Sequence, residues 1–183
     1  MGKIKVAVIV GSLRRDSLNA KLAKAVTALA PESFDFDFVP ICDLPLYNPD
    51  FEDTPNPAVT RFRDRITKTQ ALLIVSPEYN RSIPGVLKNA LDIGSRPYGK
   101  NIWRGKPCGI MGASPGTLST ASMQQHLRNV LSTLGVITMP EPEAFIQVKD
   151  GFFGTDGSLG ERTKTFLHGW CLAFAAFTTR QLS

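Results

Sequence analysis

The feature that most constrains this chain is a pair of short apolar runs, Ile4–Val10 and Ala71–Ser76. Each is followed at once by a polar loop and then by a helical pattern. A short apolar run without alternation is the mark of a strand buried on both faces, as in a parallel sheet covered by helices. After the first run, Leu18, Leu22, Ala25, Val26 and Leu29 fall on one helical face, and Pro31 ends that helix. Phe34, Phe36 and Phe38 alternate with Asp35 and Asp37, which predicts a strand with one buried face.

The segment from Pro40 to Pro57, rich in Pro, Asn and Asp, reads as a long loop, with a helix from about Ala58 to Thr67. Ala71–Ser76 leads into the loop PEYNRSI, and Pro84 is expected to open a helix at its first position. Lys106–Ala113 reads as a further strand, followed by the loop SPGTLST. A helix carrying Leu127, Val130, Leu131 and Leu134 comes next. Val136–Met139 is a short strand and about Leu159–Thr179 a long helix. In that helix Phe166, Trp170, Phe174 and Phe177 form a core stripe, widened by Leu167, Cys171 and Ala175.

Strand and helix thus alternate five times. That order predicts an α/β fold, a five-stranded parallel sheet with helices on both faces, formed by residues 1–183 as a single domain. In open sheets of this kind ligands bind beyond the carboxyl ends of the strands, near a switch point. The rule selects three loops: Gly11–Asn19, Pro77–Ile83 and Ser114–Ser119.

Composition narrows the function. The 183 residues are 43% hydrophobic and 20% charged, a globular balance. No apolar run is long enough for a membrane helix and no secretory leader pattern opens the chain, so the expectation is a cytoplasmic protein with no membrane partner. Cys42, Cys108 and Cys171 show no paired spacing; they read as reduced thiols in or near the core, with no metal site. A net charge of +5, spread along the chain, favours small anions over nucleic acid.

The first loop, GSLRRDSLN, enters a helix N-terminus, where unpaired amides attract anions. Ser12, Ser17 and Asn19 supply neutral donors, and Arg14 and Arg15 supply charge able to fork onto phosphate oxygens. The plain alternative is a strand-to-helix turn capped by Asp16 or Ser17. Neither GxGxxG nor GxxxxGK[ST] occurs. In the second loop Tyr79 offers a flat face and Asn80 a donor. In the third, Gly112, Gly116 and small hydroxyl residues leave room for a planar ring beside the backbone.

Together GSLRRDSLN, LPLYNPD at Leu44–Asp50 and PEYNRSIPGVLKNALD resemble the NADPH-dependent FMN reductase family, including its chromate and quinone reductases, over nearly the whole chain. The resemblance implies a flavodoxin-like fold and noncovalent FMN. It places Ser12, Arg14, Ser17 and Asn19 on the phosphate, with Leu18 among the cofactor-binding positions. Pro77, Glu78, Tyr79 and Asn80 would border the flavin ring, and Ser114 and Gly116 would complete the pocket. It also implies NADPH or NADH as donor, ping-pong transfer to quinones, chromate or similar acceptors, and no side chain as catalytic acid or base. Where family members often carry Trp after the Asp of LKNALD, this chain has Ile93 and Gly94.

Arg15, Arg81, Arg96, Lys100 and Arg104 are candidates for a basic surface near the pocket. His126 and His168 fall in predicted helices outside the three loops and read as surface residues; Glu78 reads as structural. Two rivals share the fold: a flavodoxin-type electron carrier, disfavoured by the basic charge and the arginine pair, and an interaction protein with an empty pocket. Broad apolar faces on the last two helices, with the family resemblance, imply a homodimer or homotetramer in which the Pro40–Pro57 loop reaches a neighbour's flavin.

Overall fold

A computed structural model describes residues 2–154 and 158–183. Its strands are β1 Ile4–Val10, β2 Phe34–Phe38, β3 Ala71–Val75, β4 Pro107–Ser114, β5 Ile137–Thr138 and β6 Phe145–Gln147. Its helices are α1 Leu18–Leu29, α2 Pro57–Thr67, α3 Gly85–Ser95, α4 Ala121–Thr133 and α5 Glu161–Leu182. All pairings are parallel, in the order β2-β1-β3-β4-β5, with β6 also on β4. This is a doubly wound order whose chain reverses direction of travel between β1 and β3.

The apolar runs are buried on both faces because alternate residues serve two cores. Ala7, Ile9, Leu72, Ile74, Cys108 and Ile110 pack with Phe62 and Ile66 of α2, Leu87 and Leu91 of α3, and Leu127 and Leu131 of α4. Val6, Val8, Leu73, Val75, Met111 and Ala113 pack with Leu22 and Val26 of α1 and with Leu167, Trp170 and Phe174 of α5. Trp103, fully buried, donates its indole N–H to the Leu91 carbonyl at 2.9 Å. It fills the space over Gly94, where a Cβ would lie 2.4 Å from the indole.

The sheet has a sixth strand beyond the five expected. The outer edge of β4 is shared: β5 pairs its first residues and β6 its last. Between them the chain stays on the edge, with Met139 N–H bonding Cys108 O at 2.9 Å and Gly112 N–H bonding Ala144 O at 3.2 Å. Pro140 and Pro142, which have no N–H to donate, break what would otherwise be one strand. That interruption also trims the expected Val136–Met139 to two residues.

Other expectations shift locally. Pro84 is the residue before α3, not its first helical position. Helix α2 begins at Pro57, because Asn56 Oδ1 accepts from the amides of Ala58 and Val59. Helix α5 runs to Leu182. Phe166 departs from the core stripe and is 44% exposed, whereas Trp170, Phe174 and Phe177 are buried. The 3.6-residue period carries Phe166 to the outer side while its neighbour Leu167 turns inward.

Cys42 is exposed, not in the core, since it lies just past the edge strand β2; Cys108 and Cys171 are buried. Burial pushes both inner thiols up to about 12, so neither forms thiolate at ordinary pH. The expected outcome is that a disulfide-exchange reagent at about pH 8 titrates one thiol per native chain, Cys42, and all three after denaturation.

Candidate functional site

The loops after β1, β3 and β4 end at one level, and Ser76 stands at their centre, fully buried. Gly11 N–H bonds Val75 O at 2.9 Å, and Ser76 N–H bonds Met111 O at 3.1 Å. A Cβ on Gly11 would lie 2.3 Å from Ser76 Oγ. One on Gly112 would lie 2.3 Å from Ser76 O and 2.6 Å from Thr120 Oγ1. At Gly112 glycine is needed because the Ser76 backbone comes too close for any side chain, and at Gly11 the buried Ser76 side chain fills the space a Cβ would take.

In the first loop, Ser17 caps α1: its Oγ accepts from Ala20 N–H at 3.2 Å and its carbonyl from Lys21 N–H at 3.1 Å. The plain capping reading is therefore satisfied by Ser17, not Asp16. The first amides of the helix, those of Leu18 and Asn19, have no intrahelical acceptor and form its electropositive end. Ser12 is half-buried, and its Oγ accepts weakly from Arg14 N–H at 3.4 Å. Arg14 and Arg15 are exposed at the mouth of the loop.

Asn19 is placed differently from a phosphate donor. Only 2% exposed, it donates Nδ2–H to Ala113 O and accepts Ala113 N–H on Oδ1, both at 2.9 Å. Strand β3 has already ended, so Asn19 makes the two bonds that a longer β3 would have made to β4. Its side-chain amide is a strut between the first and third loops.

In the second loop Glu78 Oε2 accepts from Met123 N–H at 2.9 Å. Met123 lies in the first turn of α4, whose own N-cap, Thr120, makes no side-chain cap bond. Glu78 thus caps α4 from another loop, the structural role expected of it. Tyr79 through Ser82 close a tight turn with reciprocal backbone bonds of 3.0 Å each. Asn80 and Arg81 at its centre have φ of 52° and 65°, the left-handed pair of a type I′ turn. Tyr79 is 44% exposed, its ring free to meet a ligand. Pro77 is half-buried at the start of the loop.

In the third loop Ser114 Oγ accepts from Gly116 N–H at 3.2 Å, and Ser119, with φ of 47°, donates Oγ–H to Ile146 O at 2.6 Å. Strand β6 therefore anchors this loop. A Cβ on Gly116 would meet nothing closer than Ser114 Oγ at 3.6 Å, so that side of the cradle is open.

Sequence reasoning missed several contributors. Ser82 Oγ lies 2.7 Å from His126 Nδ1, so a histidine 44 residues away braces the second loop. Gln124, fully buried, donates to Thr120 Oγ1 and Ala144 O. No local pattern marks either residue, because each acts across elements. His168 is exposed and apart from the loops.

A cavity of about 430 Å³ lies elsewhere, between the segment Pro45–Asn56 and the end of α3. Asn89 of α3 pins that segment, accepting Tyr47 N–H at 2.8 Å and donating to Pro45 O at 2.8 Å. The Tyr47 hydroxyl donates to Glu52, which holds its phenol above its usual range. Arg96 lies over the Tyr47 ring. Arg63 sits beneath, its guanidinium satisfying carbonyls at the end of α3. A second groove, about 320 Å³, runs beside Ser12, Leu13 and Cys42.

Compared with known proteins, residues 4–150 match the model of a family described as NADPH-dependent FMN reductase. The chain is 48% identical over 176 residues to a 2-hydroxy-1,4-benzoquinone reductase of a Burkholderia species, covering 95% of this chain and 96% of that one. A solved structure of FerB, a flavoenzyme NAD(P)H:(acceptor) oxidoreductase from Paracoccus denitrificans, superposes with a TM-score of 0.92 at 44% identity, covering 97% and 98%. A flavodoxin of Pseudomonas aeruginosa superposes at 0.60 with 19% identity, covering 96% and 99%, a likeness of fold alone.

Two outcomes follow from the bracing bonds. Asn19→Ala leaves the Ala113 N–H and C=O unpaired in a buried place, and should cost about 2–4 kcal/mol in denaturant unfolding. Glu78→Ala uncaps α4 and should cost about 1 kcal/mol, whereas Glu78→Gln, which keeps an acceptor oxygen, should stay within about 0.5 kcal/mol of the parent.

Proposed function

The chain belongs to the NADPH-dependent FMN reductase family, and on that premise we propose that it is an FMN-dependent NAD(P)H oxidoreductase that reduces quinones. The observation that carries the reading is the convergence of three loops on Ser76. The first loop brings helix-end amides and exposed arginines, and the second brings an exposed tyrosine ring.

The cradle fits FMN on its own chemistry. Ser12, Arg14, Ser17 and the Leu18 amide suit a phosphate, since they combine the positive end of α1 with a guanidinium and hydroxyl donors. Asn19 contributes by holding the loop in place. Pro77, Glu78, Tyr79 and Asn80 would border the ring, and Ser114 and Gly116 would complete the pocket. FMN, when bound, supplies hydride and electron acceptance from NADPH or NADH and delivery to the acceptor. The protein's part is to bind and orient. Glu78 is committed to the α4 amide, so the one carboxylate of the second loop serves the fold and not as acid or base. Backbone amides of the braced loops provide fixed dipoles beside the ring.

The finer reading takes chromate as a further acceptor and a cytoplasmic homodimer or homotetramer as the working form. No described helix is long and apolar enough to cross a membrane. Leu46 and Phe51, exposed by 87% and 65% at the larger cavity, supply apolar surface for a second subunit. A monomeric sedimentation profile with full activity would count against that assembly.

The test is the absorbance of purified protein during anaerobic NADPH addition. The expected result is flavin bands near ~450 nm that bleach with NADPH and return on adding a benzoquinone. Bands that bleach only with dithionite would support the electron-carrier alternative. Colourless protein that cannot be reconstituted with FMN would overturn the reading.

A further inference from the structure

Arg81 occupies a backbone position that suits it poorly. The second central residue of a type I′ turn requires positive φ, and glycine is the residue that takes it without strain. Arg81 holds φ at 65° with a full side chain. The turn keeps it there by several independent constraints. Tyr79 and Ser82 exchange backbone bonds at 3.0 Å. Ser82 Oγ is bound at 2.7 Å to His126 Nδ1. Ile83 and Pro84, both buried, anchor the following residues. A strained conformation fixed this firmly at a ligand cleft is a pointer to function.

The Arg81 side chain is exposed and makes no ion pair among the described residues. Glu78, the carboxylate of the same loop, is engaged with the Met123 amide. The result is a guanidinium without an ion-pair partner among the described residues, two residues from the exposed Tyr79 and on a turn closed by reciprocal backbone bonds.

We infer that Arg81 binds a phosphate of the incoming dinucleotide and so holds the electron donor against the face bordered by Tyr79. The guanidinium fork matches phosphate oxygens, and a rigid turn lowers the ordering cost of making that contact. The inference rests on the oxidoreductase reading above. It adds a donor-binding residue to that site and leaves the acceptor's contacts unchanged.

The experiment uses FMN-loaded protein, wild type, Arg81→Gly and Arg81→Lys, in anaerobic stopped-flow reduction with NADPH and with NADH. Arg81→Gly is chosen because glycine accepts the turn's φ. Its thermal midpoint should equal or exceed the parent's, and its FMN content should match. The half-saturating donor concentration should rise about tenfold, the loss of one charge-assisted phosphate contact, while the limiting reduction rate stays within about twofold. Arg81→Lys should recover most of the affinity, and half-saturation by an uncharged benzoquinone should not move.

A rise with both donors would mark the pyrophosphate as the ligand and a rise with NADPH alone the 2′-phosphate; either supports the inference. Unchanged half-saturation with both donors would overturn it. Failure of the wild-type flavin to be reduced by either donor would instead overturn the oxidoreductase reading, and the Arg81 inference with it.

Discussion

Everything at the site depends on how closely three strand ends approach one another around Ser76. Gly11 and Gly112 flank it, and a single methyl on either would be driven into Ser76. Parallel strands about 4.8 Å apart leave little room where their loops diverge. The two glycines let β1 and β4 meet β3 at the same level, so the loops leave together and enclose one cradle.

Two long-range bonds keep the cradle from opening. Asn19 replaces the missing end of β3 along β4, and Glu78 replaces the missing cap of α4. Each joins a loop to an element far away in sequence and satisfies backbone groups that would otherwise be buried without partners. The second loop is braced further by His126 and the third by Ile146. A site built this way is largely formed before its ligand arrives, which suits a protein whose task is to bind and orient a redox cofactor.

The two faces of the sheet do different work. The α1/α5 side carries the helix that the first loop enters, and its core is closed by Trp170 and Phe174 over Gly109. The α2/α3/α4 side receives the second loop into α3, and Trp103 seals the far end of that helix against Gly94. The segment Pro45–Asn56 lies over α3 by way of Asn89 and leaves a cavity with exposed apolar residues on its rim.

The sequence alone determined the alternation of strands and helices, the burial of β1 and β3 on both faces, and the three loops at the strands' carboxyl ends. These follow from local periodicity and from chain-order rules that act within short windows. The loop chemistry was legible too: Ser17 as a cap and Arg14 beside a helix N-terminus. Tertiary structure decided what each polar side chain is bonded to. It turned Asn19 from a candidate anion donor into a strut, tied Glu78 to Met123 and His126 to Ser82, and added β6 after two prolines had hidden it. It also put Cys42 and Phe166 on the surface. The physical reason is range: periodicity shows which face of an element is apolar, whereas a hydrogen bond across 45 or 94 residues exists only once the sheet has brought its ends together.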